Sequence, residues 1–560
     1  MDNDSSEPLL SAYEDPSTSI AGYTVDSIAD GDQELRKIIS NSRRASVADE
    51  DYRLPRSQLY PVVLSLFTST FLSSLDTTVV TTLLIDIASD LNAVPQVSWI
   101  ATAYLLSCLA FQPLFGKLSD IFGRKILLVF CSLCFALGCL VCTLGSFIYV
   151  ALGRFITGIG GGGLATLGTI TMSDIIPLRK RGLFQGMTNI FYGIGAASGG
   201  AIGGVISDFF GWRSVFFVQI PFALLVGFLF WHNLNVRLGE SEETSTISQK
   251  LKRIDFIGSI FLVLALVAIM SGAAFAGTAF PFKSLTFFGL VIAAIILLSA
   301  FAYTELYISP EPVIPVRLLA DRTVLASSLA NWFYSMSIFS YLFYIPIYYS
   351  SVLNFTAGQS GIRLIANFFG ITCGSIGVGY YMKKTGKYYY FAAIVGLFGL
   401  FGMVKIYMIN PDISEVAQYL VLFPPGAAYA CMLTVTLLSL ISAVPITYQA
   451  CTTSIQYTFR STGSTIGVSV ASAVFQKLLK DHLTREVRKL VSPELAQKVI
   501  SRALKDAKYV NEAPEIVRAA IRSSYGEACK GAFCWSFVTM SLGYVCMLLI
   551  EEHSLSRRQT

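Results

Sequence analysis

Asp76 is a carboxylate in an unfavourable solvent. It stands in Leu75-Asp76-Thr77-Thr78-Val79-Val80, inside a run from Pro61 to Ile85 with no other charged residue. An acidic side chain at the centre of a spanning helix costs about 2.5–3.5 kcal/mol on insertion scales, and such a cost is usually tolerated for function. Burial favours a protonated carboxyl and a nearby cation favours the carboxylate, so one residue there can trade a proton for a cationic group. Arg154, in a second apolar run, is the natural counter-charge. Either the two form a fixed structural pair, or the pair opens as the protein works. Arg460 and Lys405 are the other cations inside apolar runs. Lys405 lies near the end of its run and is expected to snorkel to the interface, whereas Arg460 is read either as a cavity contact or as an interfacial anchor. Trp332, Phe333, Tyr334, Tyr341, Phe343 and Tyr344 cluster in one segment and offer either cation–π faces or packing. Enzymatic alternatives lack their parts. There is no P-loop, no metal-ligand cluster and no cofactor motif, and the three histidines, His232, His482 and His553, are far apart in sequence.

The elements that must carry these residues are membrane-spanning helices. Of the 560 residues 54% are hydrophobic and only 14% charged, with a mean hydropathy of +0.61, too apolar for a soluble domain. About fourteen apolar segments follow one another from Pro61, each long enough to cross about 30 Å of hydrocarbon. The net charge of +5 is scattered over short loops, which speaks to orientation and against nucleic acid. Loops after even-numbered segments carry Lys117, Arg124 and Lys125, then Arg179, Lys180 and Arg181, then Lys250, Lys252 and Arg253, then Arg317 and Arg322, then Lys383, Lys384 and Lys387; loops after odd-numbered ones carry few basic residues, except the long one near 479–528, which is rich in Lys and Arg and, being long, obeys the bias weakly. This asymmetry predicts both termini in the cytosol. Most of the eleven cysteines lie in or beside apolar runs, where cysteine is a small hydrophobe, so no disulfide framework is expected.

The turn Gly116-Lys117-Leu118-Ser119-Asp120-Ile121-Phe122-Gly123-Arg124-Lys125 joins segments 2 and 3, and Gly379 to Lys387 repeats its two glycines seven apart followed by a basic residue. The second copy follows segment 10, the second of the final six. The expected architecture is therefore all-α: two six-helix bundles with two inserted helices, built as a parallel repeat. The expected divisions are a disordered tail over 1–57, bundles over 58–232 and 323–551, a linker with the inserted helices over 233–322, a long non-cytosolic loop near 479–528 and a short tail over 552–560. Lys383 replaces Asp120 in the second copy, so the acidic residue belongs to one half. Gly116, Asp120, Gly123 and Arg124 are expected to form a conformational latch.

The motifs together resemble a fourteen-span member of the major facilitator superfamily, on its drug:proton antiporter side. The resemblance rests on the Asp76 stretch, Trp99 to Leu106, the Gly116 turn, Arg154 with Gly158 and Gly160, the glycine series Gly195, Gly199, Gly203 and Gly204, Trp212-Arg213 with Pro221, and Arg460 to Gly463 with Gly467. It implies proton coupling at Asp76 and Arg154 and antiporter-type packing at those four glycines. Gly200 stands where the fifth-span motif has proline, Thr157 where the fourth-span motif has glutamine, and Thr82 and Ile85 also depart from the drug exporters. With the tail, the chain is similar to fungal vacuolar basic amino acid transporters, which implies proton exchange for lysine, arginine or histidine across the vacuolar membrane. The alternatives are a plasma-membrane multidrug or siderophore exporter and a transporter-like nutrient sensor. The implied partners are a small cationic organic substrate, protons and membrane lipids, and the chain is expected to be monomeric. Glu7, Leu9 and Leu10 form an acidic dileucine pattern that would engage sorting adaptors, Ser46 follows Arg43-Arg44, and Asn354-Phe355-Thr356 is a sequon expected to lie too near the bilayer for glycosylation.

Overall fold

The computed structural model describes residues 56–91, 98–234, 249–250, 253–275, 284–309, 311–314, 316–355, 357–410, 414–445, 448–505 and 509–553. The dileucine pattern and Ser46 lie outside them. The described residues form helices and turns, with fourteen helices of at least 19 residues. These are α1 (Arg56–Asp90), α2 (Ser98–Phe122), α3 (Arg124–Cys142), α4 (Phe147–Ile175), α5 (Leu178–Phe210), α6 (Trp212–Asn233), α7 (Phe256–Phe275), α8 (Leu285–Tyr307), α9 (Arg322–Ser351), α10 (Ala357–Thr385), α11 (Tyr389–Tyr407), α12 (Phe423–Ala443), α13 (Gln449–Val487) and α14 (Glu515–Leu548). Eleven candidate spans are long and apolar enough to cross a membrane. The other three, α5, α9 and α13, carry the Gly, Ser, Thr and Arg residues that face protein instead of lipid.

Helices α1–α6 pack among themselves, and so do α9–α14. The halves meet along two seams, α2 against α13 and α5 against α10, while α8 pairs with α7 and α7 leans on α2 and α13. The inserted pair therefore covers one seam from outside. Glycine governs the closest approaches. Gly116 lies where a Cβ would sit 2.8 Å from the Ala450 carbonyl, and Gly379 where one would sit 2.7 Å from the Gly182 carbonyl carbon. Each repeat turn thus presses a glycine onto the opposite half. Each also ends on a left-handed residue, Gly123 at φ 89° and Gly386 at φ 70°, a conformation glycine adopts without the Cβ penalty.

The connection near 479–528, in which the spacing of Leu483, Val487, Leu490 and Val491 and the Ser492-Pro493-Glu494 start predict short amphipathic helices, is largely helical. Helix α13 runs on to Val487, a helix spans Pro493–Lys505, and α14 begins at Glu515. Helix propensity continues where hydrophobicity stops, so an apolar run underestimates a helix that projects from the bilayer. Ala496, Val499 and Ala503 face inward, and the Tyr525 hydroxyl donates to the Ala503 carbonyl at 2.5 Å, pinning this amphipathic helix to α14. Asn354 is exposed at φ 57°, three residues beyond the end of α9.

Candidate functional site

Asp76 and Arg154 meet inside the first half. Arg154 Nη1 donates to Asp76 Oδ2 at 2.7 Å, and the two residues are 1% and 0% exposed. The guanidinium lies over the Tyr104 ring, 4.3 Å from its centroid, and the Tyr104 hydroxyl is 3.4 Å from Ser73 Oγ. Three helices, α1, α2 and α4, supply these groups. They come close because α4 carries glycine where its neighbours press: a Cβ on Gly162 would be 3.0 Å from the Cα of Cys108 on α2, and one on Gly160 would be 2.6 Å from the Cys131 carbonyl on α3. The pair is incompletely satisfied. Asp76 Oδ1 and Arg154 Nε are buried without a hydrogen-bond partner. A buried ion pair with vacant lone pairs recovers only part of its desolvation cost, so protonating the carboxyl or offering another partner can open it.

The opposite face of α1 rests on α5. A Cβ on Gly195 would sit 2.5 Å from the Phe71 carbonyl, one on Gly199 2.7 Å from the Leu75 carbonyl and one on Gly203 2.9 Å from Val79, whereas nothing lies within 4 Å at Gly204. Three of the four glycines thus make one ridge against the turns of α1 that hold Asp76, and Gly204 stands apart.

At the basic end, Arg124 is 5% exposed and bridges two helices. It pairs with Asp120 Oδ1 of α2 at 2.7 Å and with Asp174 Oδ2 of α4 at 2.9 Å, and it donates to the Ser119 hydroxyl. Cys451 Sγ, at the start of α13, is 4.0 Å from Asp120 Oδ2. Sequence reasoning missed Asp174. Its signal is an acidic residue at the end of α4 beside a strongly basic loop. Glu311, between the inserted pair and α9, joins Lys117 and Arg253, each at 2.8 Å. Partial burial pushes the Glu311 carboxyl up, but hydrogen bonds from Arg253 and Lys117 outweigh it and hold the group below the usual glutamate range.

Arg460 lies eleven residues into α13, about 16 Å along its axis and near mid-depth, because α13 begins earlier than its apolar run. It lines a small cavity with Gln185 of α5, Leu433 and Leu437 of α12, and Gln456 and Tyr457 of its own helix. Its guanidinium carbon is 6.0 Å from the ring centroids of both Tyr429 and Tyr457, and Tyr192 of α5 is a further neighbour. The Tyr457 hydroxyl is 2.6 Å from Thr169 Oγ1 of α4, and Ser461 donates to Gln112 of α2 at 3.0 Å. These contacts join the halves from the basic end to about mid-depth. The segment α9 aromatics lie elsewhere. Tyr334 is wedged against Gly543 and Gly396, Tyr341 donates to Asn367 Oδ1 at 2.8 Å, both are fully buried, and Trp332 is half-buried with its backbone against Gly463. The rings that do surround Arg460 come from three different helices, a grouping that only the fold creates. Lys405 is exposed near the end of α11, 5.4 Å from the Phe401 ring.

The family profile of the Major Facilitator Superfamily matches residues 66–468. The chain is 33% identical over 505 residues to the multidrug resistance protein fnx1 of Schizosaccharomyces pombe, covering 89% of this chain and 93% of that protein. It is 32% identical over 530 residues to the vacuolar membrane amino acid uptake transporter fnx2 of the same yeast, covering 92% and 89%. The vacuolar basic amino acid transporter 1 of Saccharomyces cerevisiae is 30% identical over 537 residues, covering 89% and 93%. Among solved structures, the proton:xylose symporter XylE superposes with a TM-score of 0.54 at 12% identity, covering 89% of this chain and 97% of that one; at that identity the likeness speaks for the fold. With two six-helix halves, the repeated glycine turn and this profile match across most of its length, the chain belongs to the major facilitator superfamily and is a membrane transporter, not an enzyme.

Proposed function

We propose that the protein exchanges protons for basic amino acids across a vacuolar membrane by alternating access. The observation that carries this reading is the Asp76–Arg154 pair, dry, 2.7 Å long and short of partners on both sides. In the proposed cycle the carboxylate holds Arg154 when deprotonated and releases it when protonated, and the change in α1–α4 packing passes through the glycine ridge to α5 and the seam with α10. Because Asp76 is buried inside one bundle, its part in this conformation is with the proton and the guanidinium, and the cargo binds between the halves. The halves are closed at the basic end, so this conformation corresponds to access from the opposite face. The names of the yeast relatives support both the cargo class and the compartment.

Uptake of radiolabelled arginine and lysine into liposomes, with the pH gradient imposed or absent, tests the proposal. Accumulation that follows the gradient agrees with it. Gradient-independent uptake overturns the coupling, and accumulation of apolar drugs in place of amino acids overturns the cargo. The second reading, an exporter of drugs at the plasma membrane, is favoured by the relative named a multidrug resistance protein, and the location of the tagged protein separates the two.

A further inference from the structure

A protein that moves cations has no evident use for a cation in its own cavity, yet Arg460 is one. Among the described residues no carboxylate pairs with it, whereas Arg154 is matched by Asp76, Arg124 by Asp120 and Asp174, and Arg253 by Glu311. The guanidinium is half-buried at mid-depth between the halves, where an unmatched charge is costly. Its surroundings are hydroxyls, amides and rings instead of acids. Tyr429, 4% exposed, holds its hydroxyl beside the Arg460 guanidinium as a hydrogen-bond partner, with its own proton still to donate. Gln185 and Gln456 line the same cavity, and the Gln456 amide is anchored by donation to Thr436 Oγ1 at 2.9 Å. Such surroundings suit a small planar anion, since a guanidinium fork matches a carboxylate in two parallel hydrogen bonds and an adjacent tyrosine hydroxyl can donate a third.

We infer that Arg460, with the Tyr429 hydroxyl, binds the α-carboxylate of an amino acid cargo, so that the carboxylate and not the basic side chain is the obligatory recognition element. The inference rests on the proposed amino acid cargo and deepens it. The walls contributed by α5, α12 and α13 belong to both halves, so a carboxylate seated there neutralises Arg460 and draws the seam together around the cargo. Specificity then has two parts: Arg460 tests for the carboxylate, and the Tyr192, Tyr429 and Tyr457 rings stand beside the rest of the molecule, where a cationic side chain finds π faces.

The test compares L-arginine with agmatine, which is arginine without its carboxylate, as competitors of labelled lysine in liposomes holding the full-length protein. Agmatine is expected to compete at least about 30-fold more weakly in the wild type, and Arg460→Gln to weaken arginine about 10- to 100-fold while leaving agmatine unchanged. Arg460→Lys, which keeps the charge and loses the fork, should fall between. Thermal unfolding of each purified variant, alone and with 10 mM L-arginine as the probe, separates a folding defect from lost recognition: the Arg460→Gln protein should melt as the wild type does and lose the arginine-induced rise. Agmatine competing within about threefold of arginine overturns the assignment. If neutral amino acids compete and their decarboxylated amines do not, the basic-cargo reading fails while the carboxylate assignment stands. If organic cations without a carboxylate are carried and amino acids are not, both fall.

Discussion

The two halves share a plan and differ in their polar chemistry. The first half buries a full ion pair, Asp76 with Arg154. The second fills the corresponding interior with neutral partners: Ser327 with Ser439 at 2.8 Å, Asn331 donating to the Gln456 carbonyl at 2.8 Å and Tyr341 donating to Asn367. Its Arg460 lies toward the seam, in a cavity shared with Gln185 of the first half. The repeat turns show the same division: Asp120, Arg124 and Asp174 are knit together in the first, whereas Lys383 and Lys384 in the second are exposed. The two turns share their glycine geometry and differ in the charges they carry. In the proposed cycle the proton-responsive chemistry therefore belongs to the first half.

The largest expected effect breaks that division at its source. Asp76→Asn strands a buried guanidinium, which costs about 3–5 kcal/mol and lowers the unfolding temperature. Pairing it with Arg154→Gln removes the stranded charge, so the double variant should regain most of that stability in a thermal melt yet stay uncoupled. In the second half, Tyr341→Phe leaves Asn367 without its donor at a cost of about 1–3 kcal/mol, and pH-driven uptake should persist. Next in size, Asp174→Asn or Asp120→Ala should slow transport about tenfold with the order of substrate preference unchanged in a competition panel; altered preference would remove the latch role. Smaller and more local, Gly199→Val drives a side chain into the Leu75 turn and should cut turnover severalfold, whereas Gly204→Ala, with nothing within 4 Å of its added Cβ, should transport as the wild type does.

The smallest effect concerns Glu311. Its carboxyl is held below the usual range, so its contribution is present above the ordinary glutamate value of 4.5 and is lost as pH falls below it. Glu311 and Arg253 are each about a third exposed, which limits the gain to at most about 1 kcal/mol. The difference in unfolding temperature between pH 7 and pH 4 should shrink slightly in Glu311→Gln.

Much of this was legible in the chain because membrane insertion leaves few options. Apolar runs announce spanning helices, and the glycine spacing of the Gly116 and Gly379 turns announces the repeat. Asp76 and Arg154 stood out because charge is rare in hydrocarbon, and their pairing followed from the need for neutrality. Asp174 and the tyrosines around Arg460 were harder to see, because they share no periodicity with the residues they join and are assembled by helix packing alone. Tyr334 and Tyr341 illustrate the converse. An aromatic cluster in one segment spreads around the helix at about 100° per residue, so most of its rings turn away from any single cavity. The ends of α13 were misjudged for a related reason: its polar turns are paired with protein or project beyond the bilayer, and hydrophobicity marks neither.

Coupling of the proposed cycle to protons through Asp76 is tested most directly by comparing two modes of arginine movement in liposomes holding the Asp76→Asn, Arg154→Gln protein. The account predicts that exchange of internal for external arginine continues while accumulation driven by a pH gradient disappears. Gradient-driven accumulation at the wild-type level would contradict it.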